Sequence, residues 1–337
     1  MKNAIGMSRF EFYLSELEQM LTQASKEINP ALWLYLNKAR TNLFMLEGLS
    51  RVYESLHNSK RFEKIKEYFK DLEDALGAID YYDSFAKEFA ANSSIPAFIT
   101  DYMQGQAREK IQWLNDLLKE KKWIGKKPVR IKKIREKLND ADWKNPKDEL
   151  KGIFEFYKKT VNELKEFMLA SGPEFTGLES QVHEIRREFR WLSIYPQALQ
   201  GVIQLKESAV SPAYMEKYLT PEIVNSPFNV MPAPGNNTYF LLLEKKYFLA
   251  LSWVIAELGN LKDSGLKILS VAEAFQQTEG IKHEAALQKT YGVLGLADNV
   301  LDDILLKASV ICNNYFNEKN AEKLIYGITA ALKDAGN

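Results

Sequence analysis

Apolar residues recur at helical spacing along nearly the whole chain, and this periodicity restricts the fold more than any other feature. In the first third, four segments show the spacing at helix length: 8–28, 30–56, 59–90 and 96–122. Asn29 and Pro30 supply the side-chain cap and the first-turn proline that helix starts favour. Four long helices with short joints predict an antiparallel four-helix bundle over residues 1–124.

A second helical region follows, and Asn145 and Pro146 open it in the same way. Its helical segments are 146–172, 176–206, 239–258, 266–277, 287–316 and 322–332. They predict a second antiparallel bundle over residues 146–337, joined to the first by a basic connector at 125–145. The expected fold class is all-α, with two bundles in one unit.

One stretch of the second half breaks the helical pattern. Residues 207–237 contain five prolines: Pro212, Pro221, Pro227, Pro232 and Pro234. Proline lacks a backbone donor and is disfavoured in helix interiors and central strands. The sequence therefore predicts an irregular insertion at the surface of the second bundle, and long insertions of this kind are usually functional or mobile.

The segment 182–190 has the most distinctive charge pattern of the chain. His183, Arg186, Arg187 and Arg190 fall on one helical face, beside an apolar stripe that includes Ile185. Four cationic or potentially cationic groups over two turns repel one another unless something anionic lies against them. That partner is either a carboxylate on a neighbouring helix or a bound anion, and the residues alone leave both open.

The apolar stripe of this segment occurs once more upstream. In that register Arg40 stands 146 residues before Arg186, and Asn37 stands 146 residues before His183. A second pair of segments, 72–83 and 287–298, also matches; each contains a glycine and ends in an aspartate, Asp83 or Asp298. Two matches in the same order indicate an internal duplication. We expect helices 30–56 and 176–206 to be equivalent, so that Arg40 and Arg186 approach each other across the seam between the bundles.

These residues resemble the motif of the CHAD family, the conserved-histidine α-helical domain. His183, Arg186 and Arg190 match its His-x-x-Arg followed about one turn later by another basic residue. The segment 287–292, Leu-Gln-Lys-Thr-Tyr-Gly, is similar to the family's Leu-Gln-x-x-Leu-Gly. The resemblance implies two bundles related by a pseudo-twofold, with a basic groove that binds inorganic polyphosphate, or phosphate and sulfate, without catalysis. The anion-binding residues it predicts are Arg40, His183, Arg186, Arg187 and Arg190.

The first half departs from the family pattern. Asn37 replaces the histidine, and Phe44, Met45 and Glu47 stand where the family has arginines. These replacements favour an alternative function, a protein–protein interaction scaffold that has lost most anion-binding residues. A phosphate-transfer or hydrolytic enzyme is a third hypothesis, but the sequence shows no metal-binding carboxylate set, so no catalysis, metal or cofactor is predicted.

Charge is balanced over the whole chain, with 45 Lys and Arg against 45 Asp and Glu. This balance argues against a nonspecific nucleic-acid binder, whose domain is usually strongly basic. The exception is residues 119–137, where cations greatly outnumber Glu120 and Glu136. Two interpretations stay open for this stretch: a solvated connector between the bundles, or a second contact for an extended polyanion.

The single cysteine and the hydropathy pattern bear on location. Cys312 cannot form an intrachain disulfide, which fits a reducing compartment, and its apolar neighbours indicate a buried hydrophobe. The first residues lack the apolar core of a signal peptide, and no apolar run approaches about 18 residues. A cytoplasmic protein without a membrane partner is predicted.

Overall fold

The computed structural model describes residues 5–208 and 212–330, and most of these residues are helical. In chain order the α-helices are α1 Ile5–Ala24, α2 Pro30–Leu36, α3 Ala39–Leu56, α4 Ser59–Ala90, α5 Ala97–Glu120, α6 Arg130–Asn139, α7 Pro146–Ser171, α8 Glu184–Ala198, α9 Pro221–Val224, α10 Lys245–Glu279, α11 His283–Leu294 and α12 Val300–Asn317. A π-helix, Leu178–His183, runs directly into α8. The predicted all-α class is therefore confirmed.

The helix starts follow the local sequence closely. The Asn29 side chain accepts a hydrogen bond from the Leu32 amide, with Pro30 in the first turn of α2. Asn145 caps α7 in the same way through the Asp148 amide. Because each cap satisfies an amide that the helix leaves unpaired, these starts are determined by residues within one turn.

Both helices that were predicted to be equivalent are interrupted. The segment 30–56 divides into α2 and α3 at Lys38, whose backbone is left-handed with a φ of 58°. The segment 176–206 becomes the π-helix, α8 and a strand, with left-handed backbone at Gln200 and Gly201 between the last two. α3 and α8 each begin within two residues of the matched positions, Asn37 and His183.

Two predicted helix boundaries in the second half are wrong. The segments 239–258 and 266–277 belong largely to one helix, α10, because no residue between them forces a break. The segment 287–316 is divided, because Gly295 takes the left-handed conformation that ends α11.

A small sheet, not predicted from the sequence, lies in the second half. Its strands are β1 Ile203–Lys206, β2 Phe240–Glu244 and β3 Ile325–Thr329, with β1 parallel and β3 antiparallel to β2. The helical prediction at 322–332 is therefore wrong over β3, and residues 331–332 lie outside the described residues. Apolar runs this short do not distinguish a strand from a helix, which explains the error.

The insertion 207–237 joins β1 to β2. Apart from 209–211, which lie outside the described residues, it is irregular chain with short helical turns, including α9. Met215 and Tyr218 are fully buried, so the insertion packs into the second half at these points instead of lying only on its surface.

One hydrophobic core runs through both halves, from α1 to β3. At its centre α3 packs against α8, where Gly48 lies beside Trp191 and Ile194. α4 packs on α3 and α10 packs on α8, so these four helices surround a groove. Within the described residues, no helix combines the length and the apolarity that crossing a bilayer requires.

Candidate anion-binding groove

The groove between α3–α4 and α8–α10, about 630 Å³ in volume, is lined by all five predicted site residues. Arg40 comes from α3, His183 from the end of the π-helix, and Arg186, Arg187 and Arg190 from α8. The structure thus brings the predicted residues together. No residue of 119–137 lines the groove; α6 instead packs on α1.

The π-helix positions the first of these residues. Its start is held by the Gln181 side chain, which accepts hydrogen bonds from the Thr176 and Gly177 amides. π-helical turns are rare and are often found at functional sites. His183 is the last residue of this turn, so its ring enters the groove just before the arginines of α8.

Arg40 is neutralised within the protein. Its Nε lies 2.6 Å from Glu73 Oε1, and its Nη1 lies 3.3 Å from Asp80 Oδ2. Gly77 of α4 leaves room for the guanidinium, since a Cβ there would lie 2.6 Å from Arg40 Nη2. Burial raises the pKa of Glu73 even though Arg40 opposes this shift. Arg40 therefore offers less attraction to an external anion than its position alone suggests.

Arg186 has a different environment. Its Nε donates to the backbone oxygen of Ile255 at 3.2 Å, and within the described residues no carboxylate lies within 4.0 Å of its guanidinium. Burial lowers the pKa of Arg186. Gly259 of α10 leaves it room, with a Cβ position 3.1 Å from Nε.

Within the described residues, no carboxylate lies within 4.0 Å of the Arg190 guanidinium either. Its guanidinium carbon lies 4.0 Å from the centre of the Phe44 ring, and within the described part of the chain it forms no side-chain hydrogen bond or ion pair. Burial, followed by the neighbouring charges of Arg186 and Arg40, lowers the pKa of Arg190 to about 10. A cation held among other cations in this way favours a bound anion.

The other two predicted residues are engaged by carboxylates of their own helical segment. Arg187 pairs with Glu184 and lies 3.8 Å from Glu188 Oε1. His183 Nδ1 lies 3.1 Å from Glu179 Oε2, although the two groups are not aligned for a hydrogen bond. The aspartates that end the two matched segments are placed elsewhere: Asp83 pairs with Tyr35 and Lys87, and Asp298 is exposed after α11.

The matched glycine of the second half, Gly292, does not lie against an arginine of the described chain. A Cβ at Gly292, in the predicted counterpart segment 287–298, would meet no atom within 4 Å. Gly259 instead lies against Arg186 as Gly77 lies against Arg40, and each glycine follows a leucine. The two Leu-Gly pairs are the signal in the sequence that could have found this correspondence.

Sequence reasoning missed Arg51. Its guanidinium lies 4.3 Å from the Trp191 ring centre and 2.9 Å from Glu47, at the edge of the same groove. Arg40, Phe44, Glu47 and Arg51 share one face of α3 at helical spacing. Following that face one further turn would have included Arg51 among the candidates.

The two groove glycines should respond differently to alanine. Gly77→Ala is expected to lower the unfolding free energy by about 1–2 kcal/mol, because it displaces Arg40 from two carboxylates. Gly259→Ala should be near neutral, since Arg186 can move and alanine gains up to about 1 kcal/mol of helix propensity. Urea denaturation of the two variants measures the difference in unfolding free energy. Equal losses would contradict the conclusion that only Gly77 makes room for an arginine held by two carboxylates.

The groove offers no arrangement for metal chemistry among the described residues, where no group of three or more His, Cys, Asp or Glu side chains could hold an ion. Cys312 lies outside the groove, and burial raises the pKa of its thiol. No family model matches this chain, and it has no significant match among curated proteins or solved structures.

Proposed function

We propose that this groove is a noncatalytic binding site for phosphoryl anions, with inorganic polyphosphate as the ligand that the CHAD-like motif implies. One observation carries the proposal: Arg186 and Arg190 face the groove without a carboxylate partner among the described residues. Guanidinium groups suit phosphate oxygens because their planar forks donate two parallel hydrogen bonds. A bound phosphoryl group would relieve the repulsion that the two arginines exert on each other.

Arg40, Arg187 and His183 are proposed to extend the same basic surface. Each already faces a carboxylate, so each contributes less than an unpaired cation would. The affinity for a polyanion should consequently be modest and should fall as salt rises.

An internal duplication is the framework proposed for this site. α3 and α8 pack on each other, and each carries an arginine that lies against a Leu-Gly glycine on the next long helix. We propose that residues 1–124 and 146–337, with the connector 125–145, form one unit of two related bundles. In this arrangement Arg40 and Arg186 hold equivalent positions on either side of the seam.

A protein-interaction scaffold is the second candidate function. Phe44 and Glu47 occupy groove positions where the resembled family has arginines, and Glu47 is already paired with Arg51. The insertion also exposes apolar side chains, Phe228 at 80% and Val230 at 66%. Exposed apolar residues on an irregular segment favour a protein partner over an anion.

Titration with long-chain polyphosphate at low salt tests the proposed function. The Arg186→Ala, Arg190→Ala double variant should bind at least tenfold more weakly, because it loses two charge-assisted hydrogen-bond donors. The matched control is Lys132→Ala, Lys133→Ala, which removes two exposed cations of α6 away from the groove.

The control also decides between the two interpretations of the basic stretch. Unchanged binding in the α6 variant fits a solvated connector, whereas a partial loss of affinity indicates a second contact for the polyanion. An equal loss in both variants would indicate diffuse attraction to the whole surface. If the double arginine variant binds polyphosphate as tightly as the wild type, or if the wild type does not bind it, the protein-interaction scaffold is favoured.

A further inference from the structure

The groove is acidic along one wall. α4 contributes Glu73, Asp74, Asp80 and Glu88 to the lining, and the first and last of these are 15 residues apart, or roughly 22 Å of helix. Every one of these carboxylates lies within 4.0 Å of a lysine or arginine of this chain. A long polyanion lying along the groove would therefore meet carboxylates that already have their cations.

Within the described lining of the groove, unpaired arginines occur at one place on α8. Among the described residues that line the groove, seven are Lys or Arg and seven are Asp or Glu, so the lining as a whole is balanced. Of these lining lysines and arginines, only Arg186 and Arg190, one turn apart on α8, have no carboxylate of the described chain within 4.0 Å. Two adjacent guanidiniums match one phosphate monoester, which carries about −1.5 to −2 charges near pH 7.

The groove also has an apolar end. Tyr81 and Phe85 of α4 lie with ring centres 5.1 Å apart, and both are partly exposed in the lining together with Leu266 of α10. Gly259, which lies against Arg186, is seven residues before Leu266, or roughly 10 Å along α10. The apolar end thus lies roughly 10 Å from the arginines, a distance that a small organic molecule can span.

The volume agrees with a ligand that reaches both places. About 630 Å³ lies within the range of roughly 300–1,000 Å³ typical of sites for small organic molecules. A bare phosphate would use only the part next to Arg186 and Arg190. Aromatic side chains beside a charged spot suit a ligand with one charged end and one apolar end.

We infer that the groove binds a small organic phosphate monoester, with its phosphoryl group on Arg186 and Arg190 and its apolar or aromatic part against Tyr81 and Phe85. This inference rests on the proposed phosphoryl-anion function and names the class of ligand. Inorganic polyphosphate would then bind through one terminal phosphoryl group, because the cations beside α4 are already paired with carboxylates and leave no unmatched positive charge for the rest of the polyphosphate.

Calorimetric titration of the full chain with three probes tests the inference: inorganic phosphate, phenyl phosphate and long-chain polyphosphate. Phenyl phosphate should bind about tenfold more tightly than inorganic phosphate, because its ring leaves water on binding. Affinity per chain should not rise between medium and long polyphosphates. These comparisons use the wild type, so no variant that misfolds can obscure them.

Two variants locate the parts of the site. Phe85→Leu, which keeps apolar volume but removes the ring, should lose most of the preference for phenyl phosphate and leave the affinity for inorganic phosphate unchanged. The Arg186→Ala, Arg190→Ala double variant should lose both ligands. Tyr81→Ala provides a second test of the apolar end if Phe85→Leu folds poorly.

The outcomes separate this inference from the function on which it rests. Equal, arginine-dependent affinity for phenyl phosphate and inorganic phosphate would overturn the monoester and leave phosphoryl binding in place. An affinity that rises steadily with polyphosphate length would also overturn the monoester inference and leave phosphoryl binding in place. If no probe binds in an arginine-dependent way, both proposals are wrong.

Discussion

Arg9→Met is expected to lower the unfolding free energy by about 3–5 kcal/mol, which is the usual effect of breaking a buried ion pair from one side. Arg9 is 2% exposed and Glu149 is 3% exposed, and Arg9 Nη1 lies 2.9 Å from Glu149 Oε2. The same nitrogen donates to the Tyr53 hydroxyl at 2.6 Å, and that hydroxyl donates to Glu149 Oε1 at 2.7 Å. Without Arg9, the buried Glu149 carboxylate would keep only the Tyr53 hydroxyl as a side-chain hydrogen-bond partner among the described residues.

Urea denaturation of the variant should be compared with Arg135→Met, which removes a partly exposed cation from Glu11 and Glu18. That control should cost about 0–1 kcal/mol, because exposed pairs are screened by solvent. The Arg9→Met, Glu149→Met double variant should be more stable than Arg9→Met alone, since it leaves no buried charge unpaired. Similar losses for the two single variants would contradict a special role for the buried pair.

The parts of the fold that could be predicted from the sequence are those determined within one or two helical turns. The caps at Asn29 and Asn145 act on amides three residues away, so local residue types were sufficient. The cationic face of α8 was found for the same reason, because side chains at i, i+3, i+4 and i+7 share a face in any helix. These arginines and Arg40 line the same groove.

What could not be predicted depends on partners distant in the chain. Arg40 is neutralised by Glu73, 33 residues away, whereas the Arg186 guanidinium donates to the backbone oxygen of Ile255, 69 residues away. Which arginines remain free is therefore a property of helix packing, and helical periodicity carries no information about it. The pairing of β1 with β2 across the insertion was missed for the same reason.

Gly201→Ala is expected to cost about 3 kcal/mol or more of unfolding free energy, through both backbone conformation and contact. Gly201 has a φ of 83°, a conformation that costs other residues about 1–2 kcal/mol. A Cβ there would also lie 2.0 Å from the backbone oxygen of Ala233, which cannot rotate away as a side chain could. This close approach brings together the chain before β1 and the end of the insertion.

Gly172→Ala separates the two contributions, because Gly172 has a φ of 76° but its Cβ position meets nothing within 4 Å. It should lose only the conformational part, about 1–3 kcal/mol at its ψ of −179°, so any larger loss for Gly201→Ala in urea denaturation reports the contact with Ala233. Asn237 reinforces that contact by donating to the backbone oxygens of Gln200 and Pro234, and its own side-chain oxygen accepts from Arg9 at 3.3 Å. Asn237 therefore connects the ends of the insertion to the buried ion pair. Because of this connection, the Gly201→Ala, Arg9→Met double variant should lose less unfolding free energy than the sum of the two single variants. Equal losses for Gly201→Ala and Gly172→Ala would show that the ends of the insertion do not press together in solution.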